Sequence, residues 1–319
     1  MTRLTRRAVL KLTAGACGAL LVGARPYHDR DRLQLIRKAI PATGERIPVV
    51  GLGSLRAFGG NAEGAEAESR RSALRVFHEL GGRVVDTAPW DGASESLIGQ
   101  SLRDLDVLDD MFLATKVNVG GEDRGPAREQ MAASSQRYGG RVVDLVQVWN
   151  VGGSAHGLGD GNLAMHMDVV GEWKAAGRTR YVGITTSFPA QYAAVERALN
   201  GYSLDFLQVD YSLAERSVER RLLPLAADRG VAVLVSRPFS SALMFSRLHG
   251  RPLPQWAADY DIESWSQFCL KFVVSHPAAT CALPVASDPM QVRDNMAAAR
   301  GRLPDAAVRR AMIEVLAAI

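Results

Sequence analysis

Eight short apolar runs alternate with eight amphipathic stretches between residues 49 and 300, and few folds accommodate such a series. The runs are Val49–Gly53, Arg83–Ala88, Met111–Val117, Val142–Trp149, Thr179–Thr185, Phe206–Tyr211, Val231–Pro238 and Thr280–Ala286. Each is rich in Val, Ile, Leu or aromatic residues, which predicts strands covered on both faces. Between them, apolar residues return at helical spacing and predict helices over Glu68–Leu80, Ser94–Leu105, Arg128–Tyr138, Leu163–Ala176, Pro189–Leu199, Ser217–Asp228, Ser264–Ser275 and Pro289–Arg300. Gly81, Gly177, Gly201 and Gly230 follow four of these, where a left-handed residue closes a helix. Eight strand–helix units in series predict a (β/α)8 TIM barrel. An open doubly wound sheet satisfies the same alternation, because periodicity does not report whether the sheet closes.

Leu35–Ile40 and Arg46–Val50, joined through Pro41-Ala42-Thr43-Gly44, predict a β-hairpin ahead of the first barrel strand. Asp305–Ile319 predicts a terminal amphipathic helix. No low-complexity linker interrupts the series, so residues 34–319 are read as one domain. Its 47% apolar and 23% charged residues provide for a sizeable core.

The formal charge of +4 sits ahead of that domain. Arg3, Arg6, Arg7 and Lys11 supply it, no acid precedes residue 25, and the remainder is neutral. A nucleic-acid partner is therefore not expected. Behind the basic head, Leu12–Ala24 is weakly apolar and ends in Val22-Gly23-Ala24, small residues suited to a signal peptidase. Such a run makes about 20 Å of helix, short of a bilayer core, so no stable membrane anchor is expected after processing. Thr5-Arg6-Arg7-Ala8-Val9-Leu10-Lys11 resembles the twin-arginine export signal. Residues 1–24 are thus read as a signal peptide, with the twin-arginine machinery as partner and the periplasm, or another exported location, as destination. Of the three cysteines, Cys269 and Cys281 lie in apolar runs and read as core.

Val85-Asp86-Thr87-Ala88-Pro89-Trp90-Asp91-Gly92-Ala93-Ser94-Glu95, with Gly99 beyond, resembles the signature of the aldo-keto reductase family. Further stretches resemble its later motifs in order: Ala114–Val117, Asp144–Val148, Gly177–Ile184, Gln208–Ser212 and Pro284–Asn295. The resemblance implies a closed barrel whose floor is plugged by the hairpin. It also implies hydride transfer from a reduced nicotinamide to a carbonyl. Four side chains serve that reaction in the family: a tyrosine donates the proton, a lysine paired with an aspartate assists it, and a histidine orients the carbonyl.

Asp86 and Lys116 stand at the aspartate and lysine positions, but Asp91 stands at the tyrosine position and Trp149 at the histidine position. These four are the candidate catalytic residues. An ionised carboxylate has no proton to donate and is shorter than a phenol. Tryptophan donates only through its indole nitrogen, and its bulk crowds the acceptor pocket. General acid catalysis is worth about 10²–10⁴-fold, so carbonyl reduction is expected to be lost or badly impaired. His156 and Tyr138, flanking the fourth strand, are the available relocated donors.

For the cofactor, the resemblance implies NADP(H), with Gln208 on the carboxamide, Tyr211 against the ring, and Thr185 and Thr186 in place of a Ser-Asn pair. Ser287 and Asn295 stand in the phosphate loop. Asp288-Pro289 predicts a helix start with N–H groups suited to phosphate, yet Asp288 is itself an anion. Val285 and Gln291 stand where some members are basic, and Arg237–Ala242 replaces a glycine-rich turn. Weakened NADP(H) binding is therefore expected, with NAD(H) left open. Three readings remain: a protein binding a nicotinamide cofactor and a small-molecule ligand without turnover, an oxidoreductase with an altered constellation, and a protein-binding scaffold. The six histidines show no metal spacing, and no G-x-S-x-G or P-loop occurs.

Overall fold

Eight parallel strands follow one another around a barrel in chain order: β3 (Leu52–Gly53), β4 (Val84–Asp86), β5 (Phe112–Val117), β6 (Val143–Val148), β7 (Thr179–Thr186), β8 (Phe206–Asp210), β9 (Ala232–Ser236) and β10 (Cys281–Ala282). The computed structural model describes residues 33–319 except 55–56, 60–63, 91, 154–159, 241 and 249; the predicted signal segment lies outside the described residues. First and last strands meet through parallel bridges Val50↔Ala282 and Gly53↔Val285, and Gly51 N–H donates to the Ala282 carbonyl at 2.8 Å. The ring is thereby joined, and the open-sheet alternative falls. β3 and β10 are shorter than predicted, and Ala282 N–H to the Val49 carbonyl and Gly53 N–H to the Pro284 carbonyl, at 2.8 and 3.0 Å, extend their junction beyond the regular strands.

Side chains alternate across each strand. The inward set includes Phe112, Tyr181 and Phe206, whose ring centroids lie 5.5–5.8 Å apart at the floor. It forms one buried cluster with Ile40 and Ile47 from the hairpin β1 (Arg37–Ala39) and β2 (Arg46–Pro48). The hairpin thus plugs the floor, as expected. Lys38 fastens it there, donating to the carbonyls of Val274, His276 and Ala279 at 2.9, 2.7 and 2.6 Å.

The outward set packs beneath α1 (Ala65–Glu79), α2 (Ala93–Asp104), α3 (Arg124–Arg137), α4 (Asp160–Ala175), α5 (Tyr192–Gly201), α6 (Leu222–Asp228), α7 (Ala242–Leu248), α8 (Trp265–Val274) and α9 (Pro289–Ala297). The terminal α10 (Ala306–Ala317) completes this layer. The predicted helix over Ser217–Asp228 is divided: Ser217–Arg220 is a 3-10 turn, and Arg221 leaves helical geometry at φ −133°, ψ −62° before α6 begins. Helix α7 and the 3-10 turn Gln255–Tyr260 are additions between β9 and α8. Among the described residues, no helix is long and apolar enough to cross a membrane.

Candidate active site

The C-terminal ends of the strands bring together Asp86, Lys116, Gln147, Gln208 and Ser236, all on the inward face. Lys116 donates to both carboxylate oxygens of Asp86, at 2.8 and 2.7 Å, and to the Thr87 carbonyl at 2.8 Å. An ammonium has three N–H donors, so these acceptors match its capacity. Asp86 also accepts from Gln147 at 3.2 Å and from Gln208 at 2.9 Å, and Gln147 donates to the Gln208 side-chain oxygen at 2.9 Å. Asp86 and Lys116 are 6% and 7% exposed, so their charges are balanced within the barrel rather than by water. The Oε1 atom of Gln147 is buried without a hydrogen-bond partner, an acceptor left over at the centre of the cluster.

Two tryptophans from the loops after β4 and β6 pack together at the strand ends. Trp149 follows β6 and stands on the inward face two residues beyond Gln147. Its ring centroid lies 4.7 Å from that of Trp90, from the loop after β4, with the planes inclined at 57°. The backbone of Trp149 is held on both sides: its N–H donates to the Val117 carbonyl at 3.0 Å, and its carbonyl accepts from Asn118 at 3.2 Å. The Trp149 backbone is thereby fixed beside the end of β5, the strand that carries Lys116. Asp91 and His156 lie outside the described residues.

The hydroxyls of Tyr138, Tyr181 and Tyr192 are engaged by partners outside this cluster. Tyr138 is fully buried and donates to Thr87 Oγ1 at 2.8 Å. Burial, then the nearby Glu95 charge, pushes its phenol well above the ordinary range. Tyr181 bonds Thr43 and Glu45 at the floor, and Tyr192 lies 3.0 Å from Ser217 Oγ. His166, also fully buried, receives the Val119 N–H at 3.1 Å, and its other ring nitrogen lies 2.7 Å from the Asn162 carbonyl. Burial lowers its pKa and favours the neutral ring, which supports the loop after β5.

The signature continues below the mouth as structure. Glu95 is fully buried and accepts from Thr115 at 2.6 Å, Ser134 at 3.0 Å and Arg137 at 2.7 Å. Gly92 adopts φ +67° ahead of α2, and a Cβ there would meet the Arg137 guanidinium at 2.8 Å. At Gly99 a Cβ would stand 2.2 Å from the Arg137 carbonyl oxygen, so the motif glycine is what lets α2 approach α3.

The cofactor candidates are only partly assembled. Gln208 lies on the floor of the mouth but is heavily committed: besides Asp86 it donates to Ser236 Oγ at 2.7 Å. Thr185 accepts from Asn150 N–H at 2.9 Å, while Thr186 donates to Gln191 at 2.7 Å and ties down the following loop. Tyr211 is a correction. Counting in twos from the inward Gln208 makes Asp210 inward and Tyr211 outward. Its ring is fully buried against Phe272 and His276, and its hydroxyl bonds Glu219 and Arg309, so it offers no face to a ligand at the mouth. Ser287 precedes α9 and its carbonyl accepts from Ser69 at 3.3 Å; Asn295 is buried on α9. The start of α9 is filled by its own cap, since Asp288 accepts from the N–H groups of Met290 and Gln291 at 2.9 and 3.1 Å.

Two features escaped sequence reasoning. Ser236, the last residue of β9, is a partner of Gln208. Asp210, at the top of β8, pairs with Arg237, which crosses from β9 toward Ser187 and lies over the Phe188 ring with 5.5 Å between guanidinium carbon and centroid. Alternation from Gln208 pointed to Asp210 as an inward carboxylate. No titratable cluster with metal-ligating potential occurs among the described residues.

With hairpin, closed barrel and strand-end cluster in place, the comparisons converge. The aldo/keto reductase family model matches residues 49–312, and the chain belongs to that family. It is 26% identical over 316 residues to the NADH-specific methylglyoxal reductase of Escherichia coli (strain K12), covering 84% of this chain and 95% of that protein. Pyridoxine 4-dehydrogenase of the same organism is 25% identical over 270 residues, covering 80% and 91%. Among solved structures, a Bacillus halodurans aldo-keto reductase in its holo form superposes with TM-score 0.71 at 22% identity, covering 89% and 96%. A Klebsiella pneumoniae aldo/keto reductase in complex with NADP and acetate gives TM-score 0.67 at 22% identity, covering 88% and 95%.

Proposed function

We propose that this protein is an exported member of the family that binds a nicotinamide dinucleotide at its barrel mouth but does not carry out ordinary carbonyl reduction. The observation that carries the reading is the Trp90–Trp149 pair after β4 and β6, together with a lysine whose N–H donors are spent inside the protein. A carbonyl entering there meets an indole where the family resemblance implies an imidazole. Asp91, whatever its placement, supplies a carboxylate in place of a phenol.

A dinucleotide fits this mouth at one end better than at the other. Gln208 and Thr185 line the floor, and the unpartnered Gln147 oxygen is an acceptor suited to an amide N–H. At the start of α9, the Asp288 carboxylate takes the N–H groups that a phosphate would use and repels it as well. Weakened NADP(H) binding, with NAD(H) as a competitor, follows from that charge. Kin of both kinds exist: the Escherichia coli relative is NADH-specific by name, and the Klebsiella structure carries NADP. Export rests on Arg6-Arg7 and the small-residue end of the leader.

Fluorescence titration with NADPH and NADH, alongside an aldehyde turnover assay, tests the reading. Both cofactors are expected to bind the wild type without turnover, and Asp91→Tyr combined with Trp149→His is expected to create turnover. Wild-type reduction at rates ordinary for the family overturns it. Replacing Arg6 and Arg7 by lysine is expected to retain the chain in the cytoplasm, and unchanged export of that variant removes the twin-arginine part.

A further inference from the structure

A second strap lies across the ends of β7, β8 and β9. Arg237 follows β9, reaches over Asp210 at the end of β8, and approaches the Ser187 carbonyl and the Phe188 ring beyond β7. Its backbone has φ +45°, a left-handed conformation that non-glycine residues rarely adopt. The turn Arg237-Pro238-Phe239-Ser240, closed by Ser240 N–H on the Arg237 carbonyl at 2.8 Å, thus directs the side chain across the mouth instead of along the strand. The Asp210 side chain is 11% exposed and the Arg237 side chain 46%, so the acid is covered while the cation faces the opening. Burial raises the Asp210 pKa, with Arg237 opposing. A guanidinium has five N–H donors, and both described contacts use a single nitrogen, Nη2.

We propose that Arg237 is the receptor for an anionic group, carboxylate or phosphate, of a ring-bearing ligand seated between the two straps, and that Asp210 competes with that anion. The Trp90, Trp149 and Phe188 faces take the flat ring, and the open side of the guanidinium takes the charge. The inference rests on the barrel mouth being the ligand site, but not on the ligand being a dinucleotide. A purely structural Arg237–Asp210 pair makes a different forecast: breaking it from either side loosens the mouth and weakens every ligand. A receptor gives opposite signs, because removing the Asp210 charge leaves Arg237 wholly to the ligand.

The test is tryptophan-fluorescence titration of the full exported chain with benzoate, its neutral counterpart benzamide, and NADH. The proteins compared are wild type, Arg237→Gln, Arg237→Lys and Asp210→Asn. Arg237→Gln is expected to weaken an anionic ligand by about 10-fold or more, the value of a charge-assisted hydrogen bond, while benzamide changes by less than about 2-fold. Arg237→Lys retains part of the affinity, and Asp210→Asn tightens the anion about 3-fold or more. A loss for NADH alone assigns the anion to the diphosphate; a loss for benzoate alone assigns it to a separate ring acid. Either supports the receptor. The proposal is overturned if Arg237→Gln weakens neither anion, if benzamide falls in parallel, or if Asp210→Asn weakens binding. Silence of NADH here, and of NADPH in the titration described above, on a wild type that binds benzoate through Arg237 defeats the dinucleotide reading and leaves the receptor standing.

Discussion

Replacing Asp86 by asparagine probes the centre of the mouth most sharply. The carboxylate accepts two contacts from Lys116, at 2.7 and 2.8 Å, and one each from Gln147 and Gln208, with both ions under 10% exposed. Asparagine has the same shape but presents an NH₂ group to donors on one side and leaves the ammonium without a counter-charge. Breaking a buried pair from one side costs about 3–5 kcal/mol, because the surviving charge remains buried. Lys116→Met is expected to cost a similar amount by stranding the carboxylate. The double variant removes both charges and is expected to lose less than the sum, with a coupling above about 2 kcal/mol. Urea unfolding of the four proteins gives the cycle. Single losses that simply add, within about 0.5 kcal/mol, refute the description of a charge pair balanced inside the barrel.

Other consequences are open to direct measurement. His276, packed on Tyr211, has its pKa lowered from 6.5 to about 4, first by burial and then by the Arg309 charge. Between those values the unfolded chain binds the extra proton, so stability is full above 6.5 and falls as pH drops toward 4; His276→Asn is expected to flatten that part of the stability profile. Gly99→Ala forces a methyl group against the Arg137 carbonyl and is expected to cost about 1–3 kcal/mol in urea unfolding, whereas Gly171→Ala, with open space around it, is expected to cost nothing. Asp288→Ser retains a capping oxygen without the charge and is expected to tighten NADPH more than NADH, by about 3-fold or more, in parallel titrations.

Much of this architecture is legible in the sequence alone. The eight strand–helix units, the hairpin plug and the strand ends carrying Asp86, Lys116 and Trp149 all follow from residue pattern and resemblance. Closure of the ring follows from the resemblance and not from the residue pattern, because it depends on a few bridges between the first and last strands, and strand propensity carries no information on so short a pairing. Tyr211 was misread by position in a motif where period-two counting from Gln208 would have turned it outward. The Arg237 strap was hidden because its direction comes from a positive φ at a non-glycine residue, which no residue preference announces. Commitment of the Gln208 side chain to Asp86 and Ser236 is likewise a three-strand arrangement, invisible to any single segment.

We propose that no group at the mouth protonates a carbonyl oxygen. The most direct test is a single-turnover experiment in which wild-type protein saturated with NADH or NADPH is mixed with a panel of aliphatic, aromatic and dicarbonyl aldehydes. Cofactor oxidation is followed by absorbance. No aldehyde-dependent oxidation above the protein-free control is expected from the wild type. Rapid oxidation of the bound cofactor by any aldehyde of the panel contradicts the account.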